Sequence, residues 1–123
     1  MTDPLRGLKV LVVEDEPILL MTLEDILTDL GCHVAESAAT LAHAEQAADN
    51  ADYQVALLDV SLGTQPIESV ARRINARNLP IVFASGMTGH EIAERFGADA
   101  IFIGKPYSTK AVSIALQRAA ALA

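Results

Sequence analysis

The sequence predicts an α/β fold in which five strands and five helices alternate along the chain, a (βα)5 unit built on a parallel sheet. Short apolar runs alternate with amphipathic stretches at helical spacing over the whole length. The runs are continuously apolar, which is typical of strands buried on both faces. The chain has 123 residues, of which 51% are hydrophobic, so it can bury a core and is expected to form one domain, 1–123.

The first half of the chain is expected to hold three strands and two helices. Pro17 suits the first turn of the first helix, because that position needs no backbone N–H donor. Leucines and isoleucines at helical spacing continue this helix until Gly31, a residue type suited to helix ends. The predicted strands cover 8–13, about 33–35 and 54–58, and an alanine-rich helix covers 41–48.

Turn residues divide the second half. Gly63 and Pro66 mark the loop and start of a third helix, whose buried face holds apolar residues at helical spacing. A fourth strand follows Pro80, and Ser108 is placed to cap the last helix. The fourth and fifth strands are predicted at 81–84 and 100–103.

The fourth helix is expected to be the least stable element. Thr88 followed by Glu91 is the pattern of a capping box, in which each side chain bonds a backbone N–H group at the other position. The helix then offers only Ile92, Ala93 and Phe96 for burial before a glycine ends it. Little apolar area is therefore available to hold it against the sheet.

Composition excludes several classes of function. The net charge of −7 provides no basic stripe to neutralise phosphates, so nucleic-acid binding is not expected. Neither a membrane-spanning stretch nor a targeting leader is recognised in the sequence. Membrane association is therefore not expected, and the expected location is the cytoplasm. The single cysteine, Cys32, cannot form an internal disulfide and is interpreted as a small core residue.

Polar groups of different kinds end four of the predicted strands. They are Glu14 and Asp15, Asp59, Ser85, and Lys105. Ligands of open α/β sheets bind outside the carboxyl ends of the strands, so these groups are expected to meet at one edge. Three carboxylates, one hydroxyl and one ammonium group would then share a single site.

Three neighbouring carboxylates repel one another unless a positive charge lies among them. Mg²⁺ prefers oxygen ligands, uses one or two carboxylates and often shares a phosphate with its site, which suits Glu14, Asp15 and Asp59. The sequence shows no Cys/His spacing typical of zinc and no EF-hand calcium loop. Mg²⁺ is therefore the expected cofactor.

An aspartate can attack phosphorus and form an aspartyl phosphate. Catalysis of phosphoryl transfer consists mostly of positioning and of neutralising charge on the equatorial oxygens. Mg²⁺ and Lys105 would neutralise charge around Asp59, Ser85 would donate a hydrogen bond, and the amides of Val60 and Ser61 would complete the cradle. No strong base is recognised that would hydrolyse the product quickly.

Four motifs occur in order at the ends of the predicted strands. They are Val12-Val13-Glu14-Asp15-Glu16, Leu57-Leu58-Asp59-Val60, Ala84-Ser85-Gly86 and Lys105-Pro106. Together they strongly resemble the receiver domain of two-component response regulators, over essentially the whole chain. The resemblance implies a doubly wound, flavodoxin-like sheet with strand order 2-1-3-4-5.

The resemblance also implies the roles of the acids. Asp59 would take a phosphoryl group from a phosphohistidine on a sensor histidine kinase or a histidine phosphotransfer protein. Asp15 would bind Mg²⁺ directly and Glu14 through water, with Asp59 and the backbone carbonyl of Ser61 as further metal ligands.

The remaining site residues would bind and report the phosphoryl group. Ser85 would be a switch hydroxyl that turns toward it, and Lys105 would pair with it. Phe102, expected in the core, would change rotamer together with Ser85. The Lys105–Pro106 peptide bond is cis in the family.

Some positions depart from the common pattern. The loop after Asp59 lacks the proline that commonly precedes its glycine. Phe83-Ala84-Ser85-Gly86, followed by a short helix flanked by glycines, resembles a subfamily of single-domain receivers named for a Phe-Ala-Thr-Gly motif. In that subfamily the fourth-helix region is unusually mobile. Ser61 and Met87 occupy positions that tune the lifetime of the phosphoryl group in the family.

The sequence therefore predicts a single-domain receiver, not an enzyme, that signals by protein contact or as a phosphorelay intermediate. The chain ends after the fifth helix, and no DNA-binding or enzymatic output is expected from it. One alternative is an aspartyl-phosphate phosphatase, which would place a second acid where Ser61 stands. Others are a pseudo-receiver that only binds partners, and a flavin-binding role. Taken alone, Asp59 and Ser85 are also ordinary turn residues.

Overall fold

Five strands and five helices alternate along the described residues, 3–62, 66–86 and 89–122, of the computed structural model. The strands are β1 (Lys9–Val13), β2 (His33–Ala38), β3 (Val55–Asp59), β4 (Ile81–Ser85) and β5 (Ile101–Gly104). The helices are α1 (Pro17–Asp29), α2 (Leu41–Asn50), α3 (Glu68–Ala76), α4 (Gly89–Phe96) and α5 (Thr109–Leu122). All strand pairs are parallel and their order is β2-β1-β3-β4-β5, which confirms the predicted fold class.

The central strands β1, β3 and β4 contribute side chains to both faces of the sheet, which explains why these runs are continuously apolar. In β1, Val10 and Val12 belong to one core, while Leu11 and Val13 belong to the other. The first core packs against α1 and α5, and the second packs against α2, α3 and α4. Consecutive side chains of a strand point to opposite faces, so two cores require every residue of a central strand to be apolar.

The second strand is longer than the sequence predicts, and it ends at Ala38 rather than near 35. Glu36 and Ser37 lie inside it and pair with β1 beyond a register irregularity between Val10 and Leu11. Because β2 is an edge strand, its residues from Val34 to Ser37 are only half-buried and tolerate polar side chains. The apolar pattern is lost there while the backbone pairing continues.

Helix ends agree with most of the predicted signals. α1 begins at Pro17, and Gly31 adopts a φ of 86° after its last turn. The Ser108 hydroxyl accepts a hydrogen bond from the Ala111 N–H at 3.1 Å, as expected of a helix cap. α3 begins at Glu68 rather than at Pro66. Gly63 and the capping residue Thr88 lie outside the described residues.

Specific contacts made by Ile92, Phe96 and Arg95 hold α4 in place. Ile92 is fully buried against the second core. The rings of Phe83 and Phe96 stack with centroids 4.1 Å apart. The Arg95 guanidinium donates two hydrogen bonds to the Glu68 carboxylate, at 3.0 and 2.8 Å, and so ties α4 to α3. The helix thus depends on a few specific contacts rather than on a broad apolar face.

No helix in the described ranges is both long enough and apolar enough to cross a bilayer.

We expect α4 to open more readily than α5, because α5 buries four apolar residues against the sheet. Replacing Arg95 by Gln removes the bidentate pair and should speed amide hydrogen exchange in α4 while leaving α5 unchanged. Arg118→Gln, a change at an exposed arginine of α5, is the matched control. Equal exchange in α4 of the two variants would contradict this role for the pair.

Candidate functional site

The carboxyl ends of four strands bring the predicted site residues together. Glu14 and Asp15 directly follow β1, Asp59 ends β3, Ser85 ends β4 and Lys105 directly follows β5. The strand register aligns these ends: Asp59 lies beside Ala84, and Ser85 lies beside Gly104. The Lys105 N–H donates to the Ser85 carbonyl at 3.1 Å and continues the sheet into the loop.

The three acids form one cluster. Glu14, Asp15 and Asp59 each place a carboxylate oxygen within 4.8 Å of the others. Glu14 and Asp59 are almost completely buried, at 0% and 1% exposure, whereas Asp15 is exposed. Glu14 is therefore not a solvated surface acid. Glu14 and Asp59 lie in the interior of the site, and Asp15 lies at its surface.

Asp59 uses its two oxygens differently. Oδ1 accepts hydrogen bonds from the Ser61 N–H at 3.0 Å and from Lys105 Nζ at 3.1 Å. Oδ2 is buried and has no hydrogen-bond partner among the residues the structure describes. A buried oxygen without a partner costs roughly 1–3 kcal/mol. A hard cation at this cluster would supply what that oxygen lacks, so the donor set fits Mg²⁺.

The two buried acids share their charge unequally. Burial first, and then the neighbouring Asp59, raises the pKa of Glu14 from 4.5 to about 7, although Tyr107 and Lys105 oppose the rise. Burial alone would also raise the pKa of Asp59. The neighbouring Glu14, the Ser61 amide and Lys105 instead hold the pKa of Asp59 below its usual value. Asp59 is thus the acid that stays ionised, and Glu14 is the one that gains a proton as the pH falls.

Lys105 lies between the buried acids. Its ammonium group is 3.1 Å from Asp59 Oδ1 and 3.6 Å from Glu14 Oε1, and its side chain is 23% exposed. The Lys105–Pro106 bond is cis, as the resemblance implies. One cation therefore faces two carboxylates, and the described cluster with Asp15 has an excess of negative charge.

Tyr107 also belongs to the site, although it is not among the residues that the sequence motifs predict. Its hydroxyl donates a hydrogen bond to Glu14 Oε1 at 2.7 Å, and both groups are buried. Burial, followed by the contact with the Glu14 carboxylate, raises the pKa of this tyrosine. The available signal was a tyrosine, rather than a wholly apolar aromatic residue, two positions after Lys105.

The two backbone amides after Asp59 are both hydrogen-bonded, one within the sheet and one to Asp59 itself. The Val60 N–H donates to the Ala84 carbonyl at 3.0 Å and is part of the sheet. The Ser61 N–H bonds Asp59, and the Ser61 residue itself is exposed. The expectation that both amides cradle a phosphoryl group is therefore wrong for Val60.

The two predicted switch residues lie in different environments. Ser85 is buried at the end of β4, with 1% of its surface exposed. Phe102 is 42% exposed, so the expectation of a core aromatic is wrong. Exposure alternates along β5, which is an edge strand, and Phe102 falls on an outward position. Its part in switching stays a prediction, and Met87 lies outside the described residues.

Comparison with known proteins agrees with this geometry. The sequence model of the response regulator receiver domain matches residues 10–117. The transcriptional regulatory protein TcrA of Mycobacterium tuberculosis is 35% identical over 106 residues, which are 83% of this chain and 42% of that protein. The chain therefore spans less than half the length of this curated relative.

Two solved structures are similar over nearly all of the chain. The receiver domain of PhyR from Erythrobacter litoralis has a TM-score of 0.79 and 25% identity, covering 93% of this chain and 90% of that one. The receiver domain of the sensor histidine kinase PA1611 from Pseudomonas aeruginosa has a TM-score of 0.78 and 27% identity, covering 94% and 98%. In that structure a magnesium ion is coordinated in the active site cleft.

The crowded acids predict a pH-dependent effect of Asp59→Asn in magnesium-free buffer. The raised pKa of Glu14 means that the stability conferred by its proton is fully present below about pH 4.5 and is lost as the pH rises through about 7. Asparagine removes the neighbouring charge and keeps an oxygen for Ser61 and Lys105. Urea unfolding should show the variant more stable by about 1 kcal/mol at pH 8, with a smaller gain at pH 5.

The control for this experiment is Asp52→Asn. Asp52 forms an ion pair with Lys9 at 2.7 Å and is 87% exposed. The pair lies at the amino ends of β1 and β3, whereas the site lies at their carboxyl ends. Its loss should change the free energy of unfolding little at either pH. An Asp59→Asn variant that is less stable than the wild type at pH 8 would contradict the repulsion argument.

Proposed function

Since this chain belongs to the response regulator receiver family, we propose that it accepts a phosphoryl group on Asp59 and passes the signal on by protein contact or as a phosphorelay intermediate. Receiver domains are signalling domains that interact with histidine kinases or phosphotransfer proteins and bind Mg²⁺. The proposed donor is a phosphohistidine on such a protein. We propose one receiver domain over 1–123, a cytoplasmic location and no nucleic-acid partner.

One observation carries the proposal: the buried Asp59 carboxylate lies at the centre of the site, held by Lys105 and beside two further acids. Hydrogen bonds hold its pKa below the usual value, so it is ionised at neutral pH. An ionised carboxylate is the form that attacks phosphorus. A turn-capping aspartate would require neither the burial nor the ion pair.

In the proposed phosphoryl transfer, Asp59 is the residue that forms a covalent bond, and the other site residues position groups and neutralise charge. An Asp59 oxygen forms the new O–P bond while the P–N bond of the phosphohistidine breaks, and the donor's imidazole leaves with the electron pair of that bond. Charge spreads over the equatorial oxygens of the phosphoryl group, so catalysis is mostly positioning and neutralisation. Lys105, already 3.1 Å from Asp59, would neutralise one side, and Ser85 would donate to an oxygen on another.

The acidic cluster would hold the metal ion. Glu14, Asp15 and Asp59, with the backbone carbonyl of Ser61, are the proposed ligands, and Glu14 would act through water. A cation held there would supply positive charge to the phosphoryl oxygens. The receiver domain from Pseudomonas aeruginosa, with magnesium in its cleft, supports this assignment.

The site favours a phosphoryl acceptor over a phosphatase. An aspartyl-phosphate phosphatase would place an acid two residues after the nucleophile, where this chain has Ser61. Ser61 is exposed, and its N–H is bonded to Asp59 Oδ1. The output of the longer relative TcrA is not transferred to this chain, because only 42% of that protein is matched.

The direct test is labelling by acetyl phosphate or by a histidine kinase in the presence of Mg²⁺. Asp59→Asn should abolish acid-stable, base-labile labelling, because the amide cannot form an acyl phosphate. Asp52→Asn, which changes an exposed aspartate at the opposite edge, should be labelled like the wild type. Undiminished labelling of the Asp59 variant would overturn the assignment.

The raised pKa of Glu14 predicts that Mg²⁺ affinity increases with pH. Below about pH 7 this acid carries a proton that must leave when the cation binds. Competition with a proton of that pKa should lower the apparent Kd about tenfold between pH 6 and pH 8, with a plateau above. Isothermal titration calorimetry at several pH values checks this, and Glu14→Gln should remove most of the slope. A Kd independent of pH in the wild type would contradict the assignment of the proton to Glu14.

A further inference from the structure

Two residues of one loop reach the same oxygen of Glu14. The Tyr107 hydroxyl donates to Oε1 at 2.7 Å, and the Lys105 ammonium group is 3.6 Å from the same atom. The other oxygen, Oε2, is 3.4 Å from the Glu16 N–H. Glu14 has no exposed surface, so these donors rather than bulk water determine how its carboxylate is oriented.

The distances indicate that Tyr107 and Lys105 contact different carboxylates of the site most closely. Tyr107 makes the short, direct hydrogen bond to Glu14, and Lys105 lies nearer to Asp59, at 3.1 Å, than to Glu14, at 3.6 Å. A neutral hydroxyl can satisfy a buried carboxylate without bringing in another full charge. Without that hydroxyl, Glu14 Oε1 would attract the Lys105 ammonium group, which is 3.6 Å away, and would draw it from Asp59.

We propose that Tyr107 is a positioning residue: its hydroxyl fixes the Glu14 carboxylate for a divalent cation and leaves Lys105 to Asp59. This inference rests on the proposed function, because it assumes that Glu14 helps to hold Mg²⁺. Groups that hydrogen-bond a metal-binding carboxylate commonly change metal affinity by 10–100-fold when they are removed. Tyr107 meets the geometric requirement, since it is buried and contacts the carboxylate oxygen itself.

The test compares Mg²⁺ binding to Tyr107→Phe, Tyr53→Phe and the wild type by isothermal titration calorimetry, without a phosphoryl donor. The chain has only two tyrosines, and the second is a matched control. The Tyr53 hydroxyl is also buried and donates to the Ala48 carbonyl at 2.6 Å, near the start of β3 and away from the site. Both variants lose one buried hydrogen bond and keep the aromatic ring.

We expect about tenfold weaker Mg²⁺ binding in Tyr107→Phe, and a Kd within about twofold of the wild type in Tyr53→Phe. A Tyr107→Phe Kd equal to that of the wild type would overturn the inference and leave the proposed function intact. Equal weakening in both variants would also overturn it, because the effect would then follow from lost stability. A wild-type chain that binds no Mg²⁺ would overturn the proposed function itself.

A double-mutant cycle separates positioning from a general effect. In a Glu14→Gln background, Tyr107→Phe should cause no further loss of Mg²⁺ affinity, because the carboxylate that the hydroxyl orients is already gone. An undiminished tenfold loss in that background would overturn the route through Glu14.

A third measurement does not require Tyr107→Phe to fold. The chain contains no tryptophan, so in the Tyr53→Phe variant Tyr107 is the remaining strong near-ultraviolet chromophore. Mg²⁺ should shift its absorbance with the same Kd that calorimetry gives, because the cation changes the field at the carboxylate the hydroxyl contacts. A tyrosine spectrum that stays constant through saturation with Mg²⁺ would overturn the inference.

Discussion

The placement of two buried carboxylates beside one ammonium group is the constraint on which this site depends. Glu14 and Asp59 are both shielded from water, and the Lys105 ammonium group lies 3.6 Å from Glu14 and 3.1 Å from Asp59. A buried ion pair must offset a large desolvation cost, and here one cation serves two anions. The parallel sheet enforces this arrangement, since it brings the carboxyl ends of neighbouring strands to a common edge. The same fold that assembles the site therefore also creates the repulsion between its carboxylates.

The hydrophobic cores on the two faces of the sheet stabilise the domain enough to offset the desolvation cost of the buried charges. β1 and β3 are buried along their lengths and contribute to both faces, so the sheet is anchored independently of the site residues at its ends. Full burial of each leucine or valine contributes on the order of 1.5–3 kcal/mol relative to exposure. Helix α4 is anchored differently: the contacts that hold it include a buried isoleucine, a ring stack and an ion pair. Stability is thus concentrated in the central strands, next to the acids they position.

The sequence was most informative where burial is symmetric and least informative where it is not. Continuous apolar runs and the polar residues ending them predict the central strands and the meeting of Glu14, Asp15 and Asp59, while the strand order came only from the family resemblance. The edge strands break the pattern: β2 continues through half-buried polar residues, and Phe102 on β5 faces outward. Tyr107 was not predicted as a site residue, because an aromatic residue beside a hydrophobic core is normally interpreted as a packing residue. Only the fold shows that its hydroxyl reaches Glu14, a residue distant in sequence.

The buried acids also bear on whether the domain is only a binding module. A scaffold that merely displayed surfaces would not need Glu14 and Asp59 in its interior, and replacing buried ionic groups by packed apolar residues is often neutral or stabilising. Their arrangement instead leaves a buried oxygen of Asp59 without a hydrogen-bond partner in the described part of the chain. The pKa of Glu14 is raised by the same crowding. Both features are unfavourable in isolation and are relieved by the same event, the arrival of positive charge among the acids. The proposed role as a cation-assisted phosphoryl acceptor accounts for that cost, whereas a passive binding surface does not.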